Sequence, residues 1–177
     1  MSKPAFLSKR LAYRLVEQTD IPFFDAALHD PQVMQYMSIR FTTDQPGREQ
    51  WNWYQSQLAA GTALFFAVFT QETKDFCGVV SLYYYDATNH KAELGYWLLP
   101  KYWGQGYAVE ACLAILTEAR TLWNLHRVEA IIETDHVASR RVLMKCGFNF
   151  EGILREMELK SGSWIDLEVW GQLLSNK

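Results

Sequence analysis

The segment "LLPKYWGQGYAVEA", residues 98–111, places Gly104 and Gly106 between a strand-like apolar run and a helical pattern. A glycine turn that leads into a helix favours anion binding, because the first helical turn has unpaired N–H groups and a partial positive charge. Glycines also let the backbone close round a phosphate. They occur equally in tight connections that bind nothing, and an isolated G-x-G pattern is a weak signal. The segment therefore predicts a strand–turn–helix unit and leaves phosphate binding open.

Composition indicates one globular domain spanning residues 1–177. Hydrophobic residues make up 49% of the chain, which is long enough to bury a core. Seventeen basic and twenty acidic residues give a net charge of −3, which disfavours direct nucleic-acid binding. Residues 63–69 form the most apolar run and are too few to cross a bilayer, and the N-terminus lacks the apolar stretch of a signal peptide. We expect a cytoplasmic protein without a membrane partner.

The three cysteines predict neither disulfides nor a metal site. Cys77, Cys112 and Cys146 are widely spaced, and the chain has no C-x-x-C or H-E-x-x-H pattern. Each lies in an apolar stretch, where cysteine is more often a core residue than a nucleophile. We therefore expect no metal, and the cysteines fit a reducing compartment.

Hydrophobic periodicity predicts the order strand, helices, three strands, helix, strand, helix, strands. Proline-containing helices follow Asp20 and Asp30, and a longer helix opens at Thr43 or Asp44 and ends near Gly61. This order favours an α/β (α+β) fold with a mixed, mostly antiparallel central sheet of about seven strands flanked by helices.

Other glycine and serine motifs fit poorly. A Rossmann G-x-G-x-x-G/A pattern would place Val109 at its third small residue, and no long βαβ series follows. A P-loop needs G-K-[ST] after the glycines, which is absent. Ser139 lacks the G-x-S-x-G context of a hydrolase nucleophile.

Several sequence blocks, in their order and spacing, carry a specific family resemblance. They are ELGYW at 93–97, WGQGYA at 103–108, Glu110-Ala111, residues 138–148 and Glu151-Gly152. The chain resembles GNAT-fold N-acetyltransferases, and most of all the RimJ/RimL-like ribosomal-protein N-acetyltransferases. The resemblance implies acetyl-CoA as acetyl donor and a primary amine as acceptor, and it allows a homodimer through the last strands.

The family's R/Q-x-x-G-x-G/A loop binds the pyrophosphate of acetyl-CoA, and here it reads Lys101-x-x-Gly104-x-Gly106, with lysine in the first position. In the family the end of the preceding strand pairs with pantetheine through its main chain. Basic residues of the later helix, Arg140, Arg141 and Lys145, could reach the 3′-phosphate, or they could form an ordinary solvated face. The cofactor-binding residues implied are Leu98, Leu99, Lys101, Trp103, Gly104, Gln105, Gly106, Tyr107, Ala108, His136, Ser139, Arg140 and Lys145.

Acetyl transfer requires a proton for the departing thiolate. Many GNAT enzymes use a tyrosine whose position here is occupied by Leu143. The RimL-like branch suggests instead the serine of an Asn-x-x-Ser pattern, which is Ser139 in this chain, with His136 replacing the asparagine. Ser139 could alternatively only cap a helix.

Glu93 is the candidate general base. It interrupts the apolar run "AELGYWLL", where burial would raise the pKa of a carboxylate toward neutrality. The alternative is a solvent-exposed pair with Lys91. Weaker candidates on predicted strands are Glu129, Glu133 and Glu168.

An α-amine titrates near 7.7–8.0 and a lysine amine near 10.4, so the neutral lysine amine costs about 3.4 kcal/mol more to reach. A protein N-terminus is therefore the favoured acceptor. Small amines (a polyamine, an aminoglycoside or an amino acid) and a non-catalytic acyl-CoA-binding module are alternatives. The acceptor-binding candidates are Arg40, Tyr83, Tyr85 and Trp164.

Overall fold

The computed structural model describes residues 5–37, 39 and 41–174. Its strands are β1 Phe6–Leu7, β2 Leu11–Leu15, β3 Leu64–Thr70, β4 Phe76–Asp86, β5 Lys91–Leu98, β6 Arg127–Glu133, β7 Asn149–Lys160 and β8 Ser163–Leu173. Its helices are α1 Ile21–Leu28, α2 Pro31–Met34, α3 Pro46–Ala59, α4 Tyr107–Trp123 and α5 Val137–Lys145. The strands form one sheet in the order β1-β2-β3-β4-β5-β6-β8-β7.

The predicted architecture is confirmed, with small differences at the edges. All strand pairs are antiparallel except β5 with β6. The sheet has eight strands rather than about seven because the two residues of β1 pair with β2. Helix α3 begins at Pro46, later than expected, because Thr43 instead hydrogen-bonds the Glu49 side chain.

The two aspartates expected to cap helices behave differently. Asp30 accepts a hydrogen bond from the backbone N–H of Gln32 and caps α2 as predicted. Asp20 precedes α1 but makes no side-chain cap, since its carboxylate is buried against the guanidinium of Arg14. This ion pair ties β2 to the start of α1.

Two hydrophobic cores cover the two faces of the sheet. Helices α4 and α5 pack on one face, around Ile115, Leu143 and Tyr13. Helices α1 and α3 pack on the other, around Phe24 and Tyr54. The three cysteines are buried and unpaired.

The parallel pair β5–β6 stays together for only three residue pairs. The register runs from Lys91↔Arg127 to Glu93↔Glu129 and then stops. Beyond this point β5 continues along β4, whereas β6 continues along β8. The strands therefore diverge and open a gap through the sheet, which begins at Glu93.

Candidate active site

A cavity of about 440 Å³ lies at the gap between β5 and β6. Helix α2 and the turn after it contribute Val33 and Tyr36 from one side of the sheet, while α5 contributes Ser139 from the other. Its lining residues are Gln32, Val33, Tyr36, Met37, Tyr96, Trp97, Leu98, Tyr102, Trp103, Gly104, Gly106, Ala108, Val109, His136, Ala138, Ser139, Arg141, Val142 and Lys145. The gap thus gives a ligand on one face access to a ligand on the other.

Beyond Glu93, the backbone of β5 presents to this gap an edge that pairs with no described strand. The N–H of Leu99 donates to the carbonyl of Cys77 on β4 at 2.8 Å. Because hydrogen-bonded pairs alternate in an antiparallel ladder, the backbone groups of Tyr96 and Leu98 point the other way, toward β6. The indole of Trp103 donates to the Leu98 carbonyl at 2.7 Å, as expected for an edge outside the β4 ladder. An extended amide-containing ligand can pair with this edge as an additional strand.

The glycine turn has the backbone geometry of an anion site. Gly104 and Gly106 have φ angles of 72° and 79°, in the left-handed region that favours glycine. Gly106 is also the N-cap of α4, so the unpaired N–H groups of the first helical turn follow directly. Both glycines line the cavity, so the turn opens onto the space where a phosphate would lie.

The structure brings eight of the predicted cofactor-binding residues to the cavity wall. They are Leu98, Trp103, Gly104, Gly106, Ala108, His136, Ser139 and Lys145. Leu99 is not among them, and its N–H donates to the Cys77 carbonyl within the sheet.

Three other residues predicted to bind cofactor brace the turn from outside. Lys101 points to Asp75, with Nζ 3.9 Å from the carboxylate. Gln105 donates through Nε2 to the Lys101 carbonyl at 2.7 Å. The Tyr107 ring lies under the guanidinium of Arg10, 4.0 Å from its centroid. Their side chains support the turn's conformation rather than line the cavity.

Arg140 and Arg141 point in different directions because successive helical residues are rotated by about 100°. Arg140 forms a two-point ion pair with Glu168, at 2.6 and 3.2 Å, and also donates to the Thr134 carbonyl. Arg141 and Lys145 instead line the cavity, one turn apart. Of the two arginines, Arg141 is therefore the one placed to meet a phosphate.

Ser139 and Tyr96 form a hydroxyl pair on the α5 side of the gap. Their oxygens are 2.6 Å apart, and both residues line the cavity. Burial raises the pKa of the Tyr96 phenol, so it remains protonated at neutral pH. Ser139 is the third residue of α5, and the N-cap is His136, so the capping interpretation of Ser139 does not hold. Tyr96 was missed from the sequence because its contact depends on how β5 faces α5.

His136 orders the entrance to α5. Its ring stacks on Tyr36 with centroids 3.8 Å apart, and its Nδ1 accepts a long hydrogen bond of 3.5 Å from the Ser139 N–H. Burial lowers the pKa of the imidazole; the charge of Asp135 opposes this effect and the charge of Lys160 adds to it. The neutral ring therefore joins the turn after α2 to the Ser139 backbone.

Glu93 lies at the point where β5 and β6 part, on the sheet face opposite Tyr96. The phenol of Tyr83 donates to its Oε1 at 2.5 Å. Lys91 pairs instead with Glu129, so the exposed Lys91–Glu93 pair is not formed. Burial, and secondarily the charge of Glu129, raise the pKa of Glu93, while the Tyr83 hydrogen bond lowers it. This carboxylate can accept a proton nearer neutral pH than an exposed glutamate.

The weaker base candidates are all held in ion pairs. Glu129 accepts from Arg127 at 2.8 Å, Glu133 pairs with Lys160, and Glu168 pairs with Arg140. Each of these carboxylates is already neutralised by a basic side chain, so each is less suited than Glu93 to take a proton from a substrate amine.

The predicted acceptor residues are dispersed. Tyr83 contacts Glu93, as described above. Tyr85 stacks on Trp123 with centroids 4.4 Å apart, so its ring packs against α4 and not against the gap. Trp164 is 61% exposed at the start of β8 and does not line the cavity. Arg40 lies outside the described residues.

We predict that Ser139→Ala and Tyr96→Phe each lower kcat by about 10- to 100-fold with unchanged affinity for CoA. The effect is at the low end for a general acid because a thiolate is a good leaving group. Since the two hydroxyls act as one unit, the double variant should be no slower than the slower single variant. Steady-state kinetics and CoA titration test this, and full activity of Ser139→Ala would contradict it.

Comparison with known proteins agrees with this geometry. The acetyltransferase (GNAT) domain family matches residues 10–149. An uncharacterized N-acetyltransferase, p20 of Bacillus licheniformis, is 31% identical over 167 residues, covering 94% of each chain. The chain therefore belongs to the GNAT family. It is an N-acetyltransferase that depends on acetyl-CoA.

Two solved structures share the fold. A spermidine N-acetyltransferase from Vibrio cholerae, in complex with CoA and spermine, superposes with a TM-score of 0.83 at 22% identity, covering 94% of this chain and 96% of that chain. An acetyltransferase from Salmonella typhimurium that modifies the N-terminal serine of ribosomal protein L7/L12 has a TM-score of 0.83 at 21% identity, covering 95% and 97%.

None of the described helices is long and apolar enough to span a membrane. Within the same residues, no group of three or more His, Cys, Asp or Glu side chains is placed to hold a metal ion.

Proposed function

We propose that this enzyme acetylates the N-terminal α-amine of a protein by direct attack on acetyl-CoA in a ternary complex. One observation carries the proposal. The gap between β5 and β6 has a partly buried carboxylate, Glu93, at its fork on one face and a protonated hydroxyl pair, Tyr96 and Ser139, on the other. We infer that the amine and the thioester meet between this proton acceptor and this proton donor.

The acetyl donor is held mainly by main-chain groups. The N–H groups of the Gly104–Gly106 turn and of the first turn of α4 bind the pyrophosphate, and Arg141 and Lys145 add positive charge nearby. Pantetheine amides pair with the backbone of Tyr96 and the N–H of Leu98, whose carbonyl already accepts from Trp103, and this leads the thioester toward Ser139. An N–H of the same edge stabilises the oxyanion that forms during attack.

The amine enters from the α2 side, where Gln32 and Val33 line the cavity. Glu93 takes the proton that the nitrogen loses as the N–C bond forms. When the C–S bond breaks, Ser139 gives its proton to the thiolate and takes one from Tyr96. After the products leave, Tyr96 regains a proton from solvent and Glu93 releases one to solvent, which restores both groups. The proton taken by Glu93 and the proton given by Ser139 therefore move on opposite faces of the sheet, and neither has to cross the gap.

The lining of the cavity favours a protein N-terminus over a polyamine. None of its lining residues in the described part of the chain is a carboxylate, since Glu93 lies at the fork of the strands and not in the cavity wall, and its charged side chains are Arg141 and Lys145. A polyamine keeps further positive charges after one amine has lost its proton, and these need acidic partners. A peptide N-terminus carries only one such amine, and the apolar Val33, Tyr36 and Met37 suit an uncharged first residue.

A matched set of acceptors tests this proposal. We expect a peptide with an N-terminal serine or alanine to be acetylated on its α-amine, and the same peptide with a blocked N-terminus to be inert. Spermidine should react at least about tenfold less efficiently in kcat/KM, the size of effect expected for one unpaired charge in a desolvated site. Mass spectrometry locates the acetyl group. Faster turnover of spermidine than of any free peptide would transfer the assignment to polyamines.

A further inference from the structure

Arg10, in the turn between β1 and β2, contacts the glycine turn from the side opposite the cavity. Its Nη1 donates to the Gln105 carbonyl at 3.0 Å, and its guanidinium lies over the Tyr107 ring. A Cβ added at Gly106 would lie 3.6 Å from Arg10 Nη2. The β1–β2 turn therefore covers the outer surface of the glycine turn, although Arg10 and Gln105 are 95 positions apart in the sequence.

Glu110, in the first turn of α4, holds Arg10 in this position. One carboxylate oxygen accepts from the backbone N–H of Arg10 at 2.6 Å and from the Ser8 hydroxyl at 2.7 Å. The other accepts from Arg10 Nε at 2.6 Å. These contacts restrict the guanidinium to one orientation and leave Nη1 directed at Gln105. They also neutralise its charge.

The hydrogen bond to Gln105 determines where the next N–H points. A trans peptide unit is planar, so its carbonyl and its N–H point in opposite directions. With the Gln105 carbonyl turned toward Arg10, the Gly106 N–H is turned away from it. Gly106 could otherwise adopt several backbone conformations, because glycine has no Cβ to restrict it.

We propose that Arg10 is a positioning residue for the diphosphate group of the acetyl donor. It holds the Gln105–Gly106 peptide so that the Gly106 N–H points into the cavity before the ligand binds. The inference rests on the proposed role of the glycine turn. Because Glu110 already balances the charge of Arg10, the effect is one of orientation and not of direct attraction. Lysine therefore cannot substitute, since an ammonium lacks the planar fork that meets Glu110 and Gln105 together.

The test compares Arg10→Lys, Arg10→Gln and the control Lys9→Gln, which removes a charge from the exposed neighbouring position. Three ligands are titrated: CoA, dephospho-CoA (which keeps the diphosphate but lacks the 3′-phosphate) and pantetheine, followed by ligand-observed NMR. Both Arg10 variants should bind CoA and dephospho-CoA about tenfold more weakly, as expected for a misaligned charge-assisted hydrogen bond. Pantetheine affinity should not change, and Lys9→Gln should match the wild type.

The outcomes separate this inference from the proposed function. If the wild type bound pantetheine as tightly as CoA, the diphosphate role of the turn, and with it the proposed function, would fail. If the wild type required the diphosphate but both Arg10 variants bound CoA within twofold of it, only the inference would be overturned. Equal losses for all three ligands would also overturn it, because they indicate general disruption. Thermal unfolding verifies that each variant is folded. If Arg10→Gln does not fold, the comparison of Arg10→Lys with the wild type decides the test.

Discussion

Glu93→Gln is expected to lower kcat by about 10²- to 10⁴-fold, the usual contribution of a general base, and to leave CoA affinity unchanged. Glutamine keeps the shape of the side chain and can still accept the hydrogen bond from Tyr83, so packing at the fork is preserved. Activity of the wild type should rise with pH as Glu93 loses its proton, at a pKa above that of an ordinary glutamate. This rise, the acidic limb of the pH–activity profile, should disappear in Glu93→Gln.

Two neighbouring variants serve as controls with opposite signs. Tyr83→Phe removes a hydrogen bond that lowers the pKa of Glu93, so the acidic limb should move to higher pH. Glu129→Gln removes a charge that raises it, so the limb should move to lower pH. Profiles of kcat/KM against pH measure both shifts. Retention of the wild-type limb in Glu93→Gln would assign the base to another group.

Asp20→Ala is expected to lower the free energy of unfolding by about 3–5 kcal/mol, since it leaves a buried guanidinium unpaired. The Asp20 side chain is fully buried and accepts from Arg14 at 2.6 and 2.8 Å and from the Glu17 N–H at 2.8 Å. Denaturant unfolding followed by tryptophan fluorescence measures the loss.

Glu17→Gln is the matched control for this ion pair. Glu17 lies 3.7 Å from the same guanidinium but its side chain is 42% exposed, so its loss should cost at most about 1 kcal/mol. Replacing Arg14 by methionine together with Asp20→Ala should restore part of the stability, because no unpaired charge remains. Equal losses for Asp20→Ala and Glu17→Gln would show that burial does not decide the strength of this pair.

The elements and the glycine turn were predictable because their signals are local. Alternating apolar residues marked β2, and the two glycines before an apolar helical pattern marked the start of α4. The gap could be anticipated only in outline. A proline such as Pro100 cannot continue a strand ladder and is consistent with the end of β5, but the divergence begins at Glu93, where pairing with β6 stops.

The partners of the site residues depended on the tertiary structure. A shift of one residue in strand register moves a side chain to the opposite face of a sheet, so the sequence alone could not pair Glu93 with Tyr83 rather than Lys91. The contact of Tyr96 with Ser139 likewise joins a strand to a helix 43 residues later.

The sequence by itself therefore determined the family, the order of elements and the position of the glycine turn, because each is recorded in the spacing of neighbouring residues. Only the tertiary structure decided which side chains meet at the gap and which brace the turn. One reason is the rotation between successive helical residues, which directs Arg140 toward Glu168 and Arg141 toward the cavity. The packing of β1 and β2 against α4, which brought Arg10 to Gln105, is another. Contacts between segments so distant in the chain arise from packing and leave no local pattern.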